Sequence, residues 1–265
     1  MMLVDTHCHL YLPEFAADLE DVLTRAHQNH VNIVVVAGID AQTSLQCIKL
    51  AEKYEEVYAA VGIHPNSEVL DTKKELNAIR SWLSHPKIIA VGEIGLDYHR
   101  ASVPIVEQRE RFVRQLEFAD EANLPIIVHN RNAIHDLHPL VAEWVRDKNR
   151  IPQEAKVAYG VFHSFSEDRE WARELTQLGF LLGISGVVTF PNAHKTKEVV
   201  RSTPLTRLLL ETDAPYLCPQ PCRGKRNEPA HLNYIAQEMA ALLGVSTDRV
   251  AEITSQNAKS LFGIG

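Results

Sequence analysis

The sequence predicts a (β/α)8 barrel, an α/β fold of eight parallel strands, built as one domain over residues 1–265. Three observations predict it. Eight short apolar runs rich in β-branched residues recur along the chain. Stretches of helical periodicity lie between them. Most of the runs end in an imidazole or a carboxylate, and the C-terminal ends of the strands are where such barrels carry their sites.

The runs are Leu3–Asp5, Asn32–Gly38, Val57–Gly62, Ile88–Glu93, Pro125–His129, Val157–His163, Phe180–Ile184 and Leu208–Asp213. Spread over 265 residues they recur every ~33 residues, the length of one βα unit. Between them, "DLEDVLTRAHQNH" places Leu19, Val22, Leu23 and Ala26 on one helical face. "EQRERFVRQLEFADEANLP" repeats the period with Phe112, Leu116 and Ala119 and stops before Pro125. "DREWARELTQLGF" does so with Trp171, Leu175 and Leu178, and Gly179 suits the left-handed residue that closes a helix. The competing arrangement is an open doubly wound sheet. That fold carries a glycine-rich phosphate loop after its first strand, where this chain has His-Cys-His.

Apolar residues make up 45% of the chain and charged residues 23%, a globular composition. No apolar run reaches the ~18 residues of a membrane span, and no signal-peptide pattern opens the chain; no membrane partner is expected. Four scattered cysteines point to reduced thiols and a cytoplasmic location. A net charge of −7 argues against a general nucleic-acid binder, but allows an enzyme with one local basic patch. The residues leave the oligomeric state open, a monomer included.

The strand ends carry the chemistry. The first ends in Asp5-Thr6-His7-Cys8-His9. Residues two apart on a strand share a side, so His7 and His9 face one point and Cys8 faces away. Two imidazoles converging on a point suit a divalent metal. Later runs end in Gly62-Ile63-His64, Gly92-Glu93, "PIIVHNR" with His129, "VFHSF" with His163, and "LLLETD" with Asp213. A carboxylate ending a buried strand is costly unless it is ion-paired or metal-bound, so Glu93 and Asp213 each have those two readings. Glu211 fits as support behind a ligand or as a partner in the interior. Four histidines and two carboxylates exceed what one open metal site needs, which points to two metals sharing a carboxylate.

The segments "DTHCHL", "GIHP", "GEIGLDY", "PIIVHNR", "VFHSFS", "LLLETDAPYL" and "RGKRNEP" together resemble the TatD family of metal-dependent deoxyribonucleases, in the amidohydrolase superfamily. The resemblance implies that His7, His9 and Asp213 hold one metal, that His129 and His163 hold the other, and that Glu93 bridges. It implies Mg²⁺ or Mn²⁺ in use, with Zn²⁺ favoured by the imidazoles themselves. It further implies exonucleolytic cleavage from the 3′ end of single-stranded DNA or RNA, with His64 touching substrate rather than metal. "HSFSED" and "HNR" depart from the family's commoner wording and bear on substrate preference. In "CPQPC" a zinc knuckle would need two further ligands, and none is apparent.

In the mechanism this implies, Glu93 and Asp213 are the catalytic carboxylates, and Asp213 takes the proton of the attacking water. Arg223, Lys225 and Arg226, directly after the last strand, form the local basic patch for phosphate, and Arg131 is a further contact or an internal ion-pair partner. Tyr98, Phe165 and Tyr216 are candidates to stack bases or to pack. Two other readings share the same ligands. One is a hydrolase of another ester, lactone or amide bond; the other is a metal-binding barrel without turnover.

Overall fold

The computed structural model describes residues 2–147 and 158–265. Strands and helices alternate along the chain. The strands are β1 (Leu3–Cys8), β2 (Val31–Ala37), β3 (Val57–Val61), β4 (Ile88–Asp97), β5 (Ile126–Arg131), β6 (Gly160–Phe162), β7 (Phe180–Ile184) and β8 (Leu208–Leu210). The helices are α1 (Leu19–Gln28), α2 (Ala41–Lys53), α3 (Thr72–Trp82), α4 (Ile105–Ala122), α5 (Ile134–Asp147), α6 (Arg169–Gln177), α7 (His194–Ser202), α8 (Leu232–Leu243) and α9 (Thr247–Phe262). The sheet order follows the chain order from β1 to β8, as the (β/α)8 class requires. The expected run Val157–His163 begins at a residue outside the described ones.

Two compact units divide the chain. One comprises Met1–Val36, His163–Ser260 and Ile264–Gly265; the other comprises Ala37–Phe162 and Leu261–Gly263. In the first, β7 pairs in parallel with β8 and β1 with β2, and an isolated parallel bridge from Cys8 to Ala214 links β1 to the chain just past β8. In the second, β3, β4, β5 and β6 pair in parallel in that order.

Local sequence explains the elements. Strands β1 and β4 are buried along their whole length, as apolar strands covered on both faces must be. Helix α2 starts at a reciprocal cap in which Asp40 accepts from the Thr43 N–H and the Thr43 hydroxyl accepts from the Asp40 N–H. Asp71 and Asp168 cap α3 and α6 in the same sense. Gly179 follows α6 with φ 96°, in the role the sequence assigned it.

Several expected strand ends differ from the structure: β1 reaches Cys8 and β5 reaches Arg131, and the differences at β4 and β8 bear most on the site. Strand β4 runs past Glu93 to Asp97. Gly95 allows it: its φ is 149°, and a Cβ there would lie 1.9 Å from the His129 carbonyl oxygen. Strand β8 stops at Leu210 rather than reaching Asp213. The chain beyond it turns to β1 instead: Asp5 accepts from the Thr212 N–H (2.9 Å), and Asp213 N–H donates to the His7 carbonyl (2.9 Å).

Candidate metal centre

Each unit gathers its own group of imidazoles and carboxylates at strand ends. In the unit containing β1, Nε2 of His7 lies 3.2 Å from Nε2 of His9. Asp213 Oδ1 is 3.4 Å from the His9 nitrogen and 3.7 Å from that of His7. The His163 ring stacks on His7 with centroids 4.1 Å apart and planes 12° apart. Potential ligand atoms of His7, His9 and Asp213 all lie within 4.8 Å of one another.

The local backbone produces this convergence. Between Asp5 and Cys8, β1 spends three residues where β2 spends two, from Val34 to Val36. Such a bulge re-aims the side chain within it, here His7. Asp213 has φ 56°, a left-handed turn that non-glycine residues adopt only where the surroundings hold them. Here those surroundings are the Thr212 contacts to Asp5, whose Oδ2 also accepts from the Thr212 hydroxyl at 2.6 Å. Asp5 is fully buried, and burial pushes its carboxyl up to about 7 against the bonds from Thr212. Asp213 goes the other way. Burial raises it, but the hydrogen bond from His9 and the neighbouring imidazoles outweigh burial and hold it below the ordinary carboxylate range.

Glu211 supports this group from behind. It is fully buried, accepts from the Ser164 N–H, and lies 3.6 Å from His163 Nδ1. Gly183 makes the space: a Cβ there would stand 2.2 Å from Glu211 Oε2.

The second unit builds its group around Glu93. His129 Nδ1 lies 2.7 Å from Glu93 Oε1, and His64 Nε2 lies 3.6 Å from the same oxygen. The His64 and His129 rings are 4.3 Å apart, and potential ligand atoms of His64, Glu93 and His129 again fall within 4.8 Å of one another. A bulge acts here too. Between Val91 and Ile94, β4 spends three residues where β5 spends two, and Glu93 sits inside it with its N–H on the Gly38 carbonyl at 3.0 Å. His64 Nδ1 accepts from the Asn66 N–H at 3.1 Å. A neutral His64 therefore keeps its proton on Nε2 and faces Glu93 as a donor.

Asp97 completes the group and was absent from the expected site residues. Its Oδ2 lies 3.2 Å from His129 Nε2. Only 2% of the residue is exposed, yet its carboxyl lies well below the ordinary range, because the His129 hydrogen bond and the N–H groups of Arg100 and His99 overcome burial. "GEIGLDY" contained a signal for it: a second carboxylate four residues after Glu93 in an apolar strand, with the same burial cost to meet.

The expected phosphate residues separate on inspection. Arg131 is exposed at the end of β5. Arg223 and Lys225 are exposed, and the Arg223 guanidinium lies over the Phe190 ring at 5.0 Å. Arg226 is engaged elsewhere: its two terminal nitrogens meet the two Asp18 oxygens at 2.7 Å each, and it lies 4.6 Å over the Phe15 ring. Among the aromatics, Phe165 is buried and the Tyr98 hydroxyl donates to Asp136 at 2.8 Å. Tyr216 is 53% exposed with its ring 6.0 Å from His9. In "CPQPC", the Cys218 thiol lies against the Cys222 carbonyl (3.1 Å) and 3.8 Å from His231 Nδ1.

Imidazole and carboxylate donors gathered at strand ends on a (β/α)8 chain define a metallohydrolase of the barrel class. Residues 4–263 match the model of the TatD-related DNase family, and the chain belongs to that family of metal-dependent hydrolases. It is 42% identical over 263 residues to the uncharacterized metal-dependent hydrolase YabD of Bacillus subtilis, covering 99% of this chain and all of the relative. It is 34% identical to the 3′-5′ ssDNA/RNA exonuclease TatD of Shigella flexneri, over 98% of each chain. Among solved structures, the Escherichia coli TatD homologue YjjV superposes with a TM-score of 0.91 at 31% identity, covering 99% of this chain and 98% of that one.

Proposed function

We propose that this protein hydrolyses phosphodiester bonds at the 3′ ends of single-stranded DNA or RNA, using two divalent cations. The observation that carries the reading is the pair of ligand groups, each with its potential ligand atoms within 4.8 Å. Neither group is explained by folding alone. Glu93 is 3% exposed with His129 at 2.7 Å, and Asp213 lies among imidazoles. The full-length similarity to an exonuclease supplies the substrate class.

In this reading His7, His9 and Asp213 would hold one cation and His129 and His163 the other, with Glu93 as the ligand common to both. The donor set fits, since imidazole nitrogen with carboxylate oxygen suits Zn²⁺ and Mn²⁺ and accepts Mg²⁺. When bound, the cations lower the pKa of a coordinated water and neutralise charge on the phosphoryl group. The protein's residues do the rest. Asp213, kept ionised by its imidazole neighbours, accepts the water's proton. Glu93 is locked in its bulge and holds its oxygen between His129 and His64. His64, beside Glu93, contacts substrate in this reading. Arg131, Arg223 and Lys225 bind phosphate oxygens, and Tyr216 offers a face to a terminal base. Arg226 serves as an anchor for their loop through Asp18. The four cysteines, read as reduced thiols, support a cytoplasmic setting.

The test is a panel on chelator-treated protein reloaded with Mg²⁺, Mn²⁺ or Zn²⁺. Substrates are 3′- and 5′-labelled single strands of DNA and RNA, bis-p-nitrophenyl phosphate, and lactones. Metal-dependent release of nucleotides from the 3′ end is the expected result. Turnover of lactones with intact strands would assign the site to another bond.

A further inference from the structure

The Asp97 carboxylate has two oxygens with two different tasks. Oδ2 faces His129 Nε2 at 3.2 Å. Oδ1 accepts from the N–H groups of His99 (2.9 Å) and Arg100 (3.1 Å), closing the turn after β4. The residue itself is clamped. Its N–H donates to Gln108 Oε1 at 2.9 Å, and Gln108 Nε2 donates back to its carbonyl at 3.1 Å. Gln108 is fully buried, and its amide also donates to the Val103 carbonyl at 2.9 Å. A buried residue held at four points, with one carboxylate oxygen aimed at a ring nitrogen, is more than a strand terminator needs.

We propose that Asp97 is a positioning residue that fixes the tautomer and orientation of His129. Each ring nitrogen of His129 faces a carboxylate, Nδ1 that of Glu93 at 2.7 Å and Nε2 that of Asp97 at 3.2 Å. With a cation in place of the proton on Nδ1, the remaining N–H is on Nε2 and donates to Asp97. A histidine that ligates a metal through one nitrogen commonly donates the other N–H to a carboxylate, which orients the ring and raises its basicity. The strand pairing supports the same geometry: β4 and β5 are in register at Gly95–His129 and Asp97–Arg131, so Asp97 reaches the ring from two positions along the neighbouring strand. Gly95 permits that approach, since any side chain there meets the His129 carbonyl. The inference rests on the reading of His129 as a metal ligand.

The experiment measures Mn²⁺ affinity by calorimetry on chelator-treated, refilled protein, for wild type, Asp97→Asn, His129→Ala and the double variant. Asparagine keeps the side-chain oxygen that closes the turn and removes the charge facing His129. The expected result is an affinity about ten- to a hundred-fold weaker in Asp97→Asn, and Asp97→Glu, measured in the same way, recovers part of it. In the His129→Ala background, Asp97→Asn changes nothing further. Equal affinity in wild type and Asp97→Asn would overturn the proposal, as would an undiminished effect without His129. Nitrogen-15 histidine spectra of the Zn²⁺-loaded wild type give a readout that needs no variant: His129 carries its proton on Nε2, and a proton found on Nδ1 would overturn the assignment. Neither measurement requires turnover. A protein that binds Mn²⁺ but cleaves no nucleic acid would refute the proposed function and leave this inference intact.

Discussion

The two ligand groups reach similar ends by different construction. The group on β1 is built from histidines two residues apart, joined by a carboxylate from just past β8. The group on β4 and β5 is built around a carboxylate, with one imidazole at 2.7 Å, a second at 3.6 Å and a further carboxylate behind. Each depends on a one-residue bulge, at His7 in β1 and at Glu93 in β4. A bulge aims a side chain without a loop's mobility, and using it in both places lets the candidate ligand groups sit on the rigid part of the fold. The difference lies in the backing. The first group lies against the buried carboxylates Asp5 and Glu211, while the second has Asp97, which meets the His129 ring directly.

The sharpest way to break the comparison is to disable the centre of the second group. Glu93→Gln keeps the shape and removes the charge. We expect kcat/KM on a single strand to fall by about a thousandfold or more, roughly 4 kcal/mol of transition-state stabilisation. Activity near wild type would remove Glu93 from the site.

A smaller effect tests the backbone beneath that group. In Gly95→Ala, a methyl would meet the His129 carbonyl at 1.9 Å in a backbone conformation that alanine resists. We expect a loss of stability of about 2–4 kcal/mol, read by urea unfolding. A variant as stable as wild type would mean that β4 relaxes away from β5 at no cost.

The two arginines of the loop after β8 sharpen the contrast between binding and anchoring. Arg223→Ala should weaken single-strand binding several-fold and reduce the salt slope by about 0.7 for one lost phosphate contact. Arg226→Ala should lower the melting temperature with the salt slope unchanged. The same salt slope in both variants would dissolve the distinction.

The smallest expected effect is in pH. Asp18 is held down to about 2, chiefly by its hydrogen bond from Arg226. Its folded pKa is below the ordinary value of 3.8, so its contribution is present above that value and is lost as pH falls from about 4 to 2. Arg226→Ala should flatten the acid limb of stability in that window, measured by thermal melts. An unchanged limb would show the pair to be screened by solvent.

Much of this was legible in the sequence. His7 and His9 could be paired because strand alternation is local, and a spacing of two carries its own geometry. Glu93, His129, His163 and Asp213 could be found because a polar residue ending an apolar run is conspicuous. Asp97 escaped because the expected strand ended at Glu93, whereas β4 continues through Gly95 to Asp97. Arg226 read as one of three equivalent charges, since nothing near it in sequence announces Asp18, 208 positions away. His163 was assigned with His129 by resemblance, and the described geometry stacks it on His7.

The alternation of buried strands and amphipathic helices, and the polar residues that end them, were determined by the sequence alone, because hydrophobic period and burial cost act over a few neighbouring residues. Which nitrogen faces which oxygen was decided only by the tertiary structure. Bulges, strand register and the close approach at Gly95 arise between segments far apart in the chain, and hydrogen-bond geometry is sensitive to tenths of an ångström that no local pattern encodes.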